Sequence, residues 1–108
     1  MPIVHEFGIM LTDPQPGKRY DVYEPEKYSC ISVPDEIVEK LGDAVLRDMP
    51  CHWHTTNVPG KGLAYCGITL IPPSSLAMFT DAVGENEPLQ ALLSKAAAEN
   101  RFVIHFGL

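Results

Sequence analysis

The sequence predicts a two-layer α+β sandwich, a mainly antiparallel sheet with helices on one face. Three observations carry that expectation. Runs rich in β-branched and aromatic residues alternate with segments of helical periodicity, and proline or glycine punctuates most junctions. A length of 108 residues supports one core, hence a single domain over 1–108. The elements read β, β, α, β, β, α, α, β, and from Tyr28 onward that order matches a ferredoxin-like βαββαβ split preceded by an extra N-terminal strand.

Residues 2–11 (PIVHEFGIML) read as a strand that Thr12-Asp13-Pro14-Gln15-Pro16-Gly17 stops with turn chemistry. Lys18 to Glu26 alternates irregularly around Pro25, which suits a short edge strand or an ordered loop. Tyr28 to Val33 forms the next strand. Pro34 with Asp35 and Glu36 marks a helix start, since proline fits the first turn and acids suit the positive end of the dipole. Ile37, Leu41, Ala44, Val45 and Leu46 then recur at helical spacing to near Asp48, across a weak point at Gly42. Cys51 to Thr56 and Leu63 to Ile71 flank Pro59-Gly60, whose types fit the centre of a type II turn and predict a β-hairpin. Ser74 or Ser75 caps a short helix with an apolar face of Leu76, Phe79 and Val83, closed by Gly84. A further helix starts at Asn86-Glu87-Pro88, buries Leu89, Leu92, Leu93 and Ala96, and ends near Asn100. Arg101 to Leu108 supplies the last strand.

Composition narrows the function classes. A net charge of −6, from acids spread along the chain, argues against a phosphate-backbone binder, so nucleic acid is not expected as a partner. The start MPIVHEFGIML carries Glu6, lacks a positive flank and holds too few apolar residues to span a bilayer. A cytoplasmic protein without membrane contact follows as the expectation. Cys30, Cys51 and Cys66 form an odd set without a CxxC pair, which suits inert buried thiols better than disulfides.

The stretch Cys51-His52-Trp53-His54 gathers the side chains with most chemistry. In a strand, Cys51 and Trp53 take one side and His52 and His54 the other, so the thiol and the imidazoles separate. With the hairpin turning at Pro59-Gly60, the polar side also collects Tyr65, opposite His54, and Thr69. His105 joins it, because Phe102, Ile104, Phe106 and Leu108 define the apolar side of the last strand. His52, His54, Tyr65 and His105 are thus the candidate ligand-binding residues. No metal is favoured; the alternative is a transition metal such as zinc on His52, His54 and His105, a set short of the four ligands that zinc takes. His5 shares its side with Ile3, Phe7 and Ile9 and reads as a core histidine held by a hydrogen bond. Pro59-Gly60-Lys61-Gly62 lacks the spacing, the hydroxyl residue and the following helix of a phosphate loop.

Lys18, Arg19, Tyr20 and Tyr23 concentrate basic and aromatic groups in a proline-stiffened loop, which makes them candidates for interaction with a protein partner. The apolar end Phe106-Gly107-Leu108 must pack into the fold or into a partner, and self-association would bury it. The reading that follows is a small cytoplasmic, non-enzymatic binding or regulatory module working through protein or small-ligand contacts. The alternative is a small metalloprotein or enzyme using the histidines of the exposed sheet face.

Overall fold

The computed structural model describes residues 4–15, 17–20, 22–64, 67–84 and 86–107. Its strands are β1 Val4–Ile9, β2 Ile31–Pro34, β3 Pro50–Trp53, β4 Pro59–Lys61, β5 Ile68–Ile71 and β6 Val103–Phe106. They form one sheet in the order β2-β1-β6-β5-β3-β4, antiparallel throughout. Helices α1 Asp35–Glu39, α2 Leu76–Val83 and α3 Glu87–Ala98 pack on one face, where Val38, Phe79, Leu89 and Leu93 meet Phe7, Val33, Ile71 and Val103. This is the α+β sandwich that the sequence predicts.

The finer strand order differs. A βαββαβ split leaves one strand between the two that flank its first helix. Here β2 and β3 flank α1, and β1, β6 and β5 lie between them. The reason is the N-terminal strand: at six residues it is the longest of the described strands, and it enters the sheet between β2 and β6 rather than standing outside the pattern.

The first helix is also shorter than expected. Gly42 stands at φ +83, a left-handed conformation that glycine adopts without the Cβ penalty, and it separates α1 from a π-helical turn over Ala44–Asp48. Val45 in that turn still reaches the core, and its carbonyl accepts the backbone N–H of Leu63 at 3.0 Å. The periodicity located Leu41 and Val45 in the core and Ile37 and Leu46 partly against it, but Ala44 is exposed and the buried Val38 was not anticipated, while glycine broke the helix.

The other two helices follow their signals. Leu76, Phe79 and Val83 are buried on α2, and Gly84 ends it at φ +70. Asn86 caps α3 by accepting the Leu89 N–H at 3.0 Å, Leu89, Leu93 and Ala96 are buried, and Asn100 closes the segment at φ +54. Ser75 does not cap α2 with its side chain; its hydroxyl donates to the Pro50 carbonyl at 2.5 Å and ties the helix start to β3.

The face without helices is covered at its centre. Met10, Ile68, Leu70, Ile104 and Phe106 form a second apolar cluster there, and Tyr20, Tyr28 and Cys30 pack over it. Tyr20, Tyr28 and Cys30 thus belong to a covering layer with a 3-10 turn at Pro25–Tyr28, and no edge strand is found among the described residues from Lys18 to Glu26. Each of these buried side chains contributes about 2 kcal/mol by leaving water. Phe106 is buried in this cluster, so that end of the chain packs into the fold; Leu108 lies outside the described residues.

Candidate functional site

Strand pairing decides where the candidate histidines go. The expected hairpin pairs Trp53 with Cys66, whereas in the structure β3 pairs with β5 as His52↔Leu70 and Trp53↔Thr69. Pro59-Gly60 is not the turn: it is strand β4, paired as Cys51↔Gly60 and His52↔Pro59 on the other side of β3. The reversal falls earlier, where His54 adopts φ +64 and the Val58 N–H returns to the Thr55 carbonyl at 3.0 Å. The register is thus three residues away from the expected one, an odd number, so Thr69 joins the side of Trp53 instead of that of His52.

His52 consequently shares a side with Leu70, and its ring lies 6.5 Å from that of Phe102. Its Nδ1 is buried and has no hydrogen-bond partner among the described residues. His54 sits past the end of β3 and borders a groove with Trp53, Ala64 and Gly67. Tyr65 lies outside the described residues, as does Cys66. His105 pairs with Thr69 and Phe7 and is fully buried on the helix side, opposite His52. The expectation of an exposed His105 is corrected: β6 lies between β1 and β5 and is covered on both faces, so its alternation has no wet side. Among the described residues, no group of three or more His, Cys, Asp or Glu side chains is placed to hold a metal ion.

His105 instead meets His5. His5 is fully buried and hydrogen-bonded, as its place beside Phe7 predicts. Its Nδ1 lies 2.8 Å from His105 Nε2 and its Nε2 2.9 Å from Asp35 Oδ1, while His105 Nδ1 lies 3.3 Å from the Thr69 hydroxyl. The two rings lie within 16° of parallel with centroids 5.1 Å apart, and Phe7 packs on His105 at 4.8 Å. Burial, with a further contribution from His5, pushes His105 down to about 3. His105 is therefore neutral near pH 7, a hydrogen-bonding group rather than a charged one. Thr69 Oγ1 also accepts the Ala64 N–H at 2.8 Å, which completes a buried polar chain from α1 to β5.

A cleft of about 390 Å³ opens elsewhere, between the end of β1, the turn at Pro25–Tyr28 and α3. Ile9, Leu11, Tyr28 and Leu92 give it apolar walls, and Lys27 and Lys95 stand among its lining residues. Gly8 lets Tyr28 lie close against β1, because a Cβ there would lie 2.7 Å from both Cys30 Sγ and Tyr28 Cβ. Helix α3 sets the far wall, presenting Ala91, Leu92 and Lys95 at i, i+1 and i+4. Glu99 also lines the cleft, but its carboxylate is 2.9 Å from the Arg101 guanidinium. Lys27 pairs with Glu24 only at 3.9 Å, with both side chains about half exposed, an ion pair worth little in water. The rim is thus locally cationic. No known family, curated protein or solved structure matches this chain.

The Lys18 to Tyr23 segment divides its residues between fold and surface. Tyr20 packs over the second apolar cluster, and its N–H donates to the His54 carbonyl at 2.6 Å. Lys18 lies 5.1 Å above the Tyr20 ring, Arg19 is exposed, and Tyr23 donates its hydroxyl to Glu6 while remaining 63% exposed. The described cysteines are poor nucleophiles: burial, helped by Glu6, pushes Cys30 up to about 12, and burial pushes Cys51 up to about 11. Among the described residues, no helix is long and apolar enough to cross a membrane.

Sequence reasoning placed Thr69 on the side of His105, where it is found, but missed Asp35 as a partner of His5 and Lys27 and Lys95 as neighbours. Asp35 carried a signal only as a helix-start acid, and nothing local links Lys27 to a residue 68 positions later.

Proposed function

We propose that this protein is a non-enzymatic binding module whose site is the cleft between β1, the Pro25–Tyr28 turn and α3, and whose ligand is a small amphipathic anion, a medium-length alkyl or aryl carboxylate. The observation that carries this reading is the pairing of apolar walls with two lysines in one concavity of about 390 Å³. That size lies within the usual range of small-molecule sites, in which apolar lining supplies affinity and a few polar groups fix orientation. The ligand's apolar body lies against Ile9, Tyr28 and Leu92, and its carboxylate faces Lys27 and Lys95. Because the whole chain carries −6, the attraction for an anion is local to this rim, and apolar burial supplies most of the binding energy.

Two expectations from the sequence belong to the same proposal. A cytoplasmic location keeps Cys30 and Cys51 reduced, in keeping with their free state. Contact with a protein partner falls to Lys18, Arg19 and Tyr23, which are exposed, while Tyr20 is used in packing.

Isothermal titration calorimetry with decanoate tests the reading. Saturable binding that weakens at least several-fold in Lys27→Glu/Lys95→Glu, with unchanged thermal stability, is the expected result. Equal binding of decanoate by the variant, or none by the native protein, would overturn it.

A further inference from the structure

The buried chain Asp35–His5–His105–Thr69 offers two patterns of hydrogen bonding that differ by one proton. In the first, both imidazoles are neutral: Thr69 O–H donates to His105 Nδ1, His105 Nε2–H to His5 Nδ1, and His5 Nε2–H to Asp35 Oδ1. In the second, His5 is an imidazolium and donates from both nitrogens, to Asp35 and to His105 Nε2. His105 then carries its proton on Nδ1 and donates to Thr69 Oγ1, which has a second lone pair beside the one engaged by Ala64 N–H. The proton count balances: the Nε2 proton of His105 passes to His5 Nδ1, the one incoming proton settles on His105 Nδ1, and the Thr69 hydroxyl turns away.

We propose that these four residues form a buried proton switch, in which His5 stores a positive charge beside Asp35 and His105 reports it by exchanging tautomers. Geometry carries the inference. The ring nitrogens are 2.8 Å apart, His5 and His105 are fully buried, and the second nitrogen of His5 lies 2.9 Å from a carboxylate that is 18% exposed. The elements packed against the pair add no competing charge to it among the described residues. Val33, Val38, Phe79 and Leu89 belong to the apolar cluster on the helix side, while Glu36 and Glu39 of α1, Asp81 of α2, and Glu87 and Lys95 of α3 are exposed. Glu6 takes the opposite side of β1, where it accepts from Tyr23. This inference is independent of the cleft, since it involves none of the cleft's residues.

Imidazole nitrogen NMR of the intact, ¹⁵N-labelled protein tests it directly, titrated across the histidine range from about pH 8 to about pH 5. The expected result is that His105 passes from the Nε2–H to the Nδ1–H tautomer in step with protonation of His5, without becoming an imidazolium itself. Retention of one His105 tautomer while His5 titrates, titration of His105 itself, or absence of any change at either ring would overturn the proposal. Asp35→Asn, which preserves the acceptor oxygen and removes the charge, should suppress the exchange over the same range. An unaltered exchange in that variant would equally overturn it. The native titration stands alone as the test if the variant fails to fold.

Discussion

Two imidazoles lie in a core whose other large side chains are apolar, and their energetic role follows from that burial. His105→Ala removes a ring packed on Phe7 and the hydrogen bonds that it makes to His5 Nδ1 and the Thr69 hydroxyl. The expected cost is about 3 kcal/mol, combining a cavity with unmade hydrogen bonds, measured by urea unfolding near pH 7. The same residue predicts a pH dependence. Unfolded His105 takes a proton near 6.5, but the folded chain refuses it until about 3, so its contribution is present above 6.5 and is lost as pH falls between those values. Stability should fall by about 1.4 kcal/mol per pH unit from this group below about pH 6, and the slope should flatten in His105→Ala. An identical slope in the variant would assign the acid sensitivity elsewhere. His5 was legible as a core residue because Phe7 and Ile9 share its side. His105 was not, because alternation separates a wet side from a dry one only when a wet side exists, and β6 is dry on both.

Helices α2 and α3 were legible nearly to the residue, because apolar spacing, closing residues and, for α3, the Asn86 cap are local signals that agree with one another. Asn86→Ala tests the cap of α3 and should cost about 1 kcal/mol in thermal or urea unfolding. The first helix failed at Gly42 and the hairpin at Pro59-Gly60, in both cases because a local signal had two readings. Gly42 could weaken a helix or break it; Pro-Gly could turn a chain or extend as a short strand. Tertiary contacts made the choice, with Leu63 bonding to Val45 and β4 pairing along β3. The layer formed by Tyr28 and Cys30 depends on Gly8 in a similar way. Gly8→Ala should displace that layer and destabilise the fold by about 1–3 kcal/mol, while leaving the helix side of the core intact. Near-ultraviolet circular dichroism reads the tyrosine environment; an unchanged tyrosine signal with unchanged stability would contradict this packing.

Assembly of the whole chain brings together residues that no local pattern connects. The order β2-β1-β6-β5-β3-β4 places the first strand beside the last, and this closes the His5–His105 contact across 100 positions. It also sets α3 against the turn at Pro25–Tyr28, which makes the cleft. Composition and periodicity predicted the class of fold because they reflect how much surface is apolar and at what spacing. Strand order and cleft location depend on long-range pairing, for which a single sequence supplies little constraint. Under the proposed function this cleft, rather than the surface around His52 and His54, receives a small amphipathic anion. The most direct test is an amide chemical-shift titration of the native protein with decanoate. Saturable shifts centred on Ile9, Tyr28, Leu92 and Lys95 are the predicted result. Shifts centred on His52, Trp53 and His54, or no saturable shift at any residue, would contradict it.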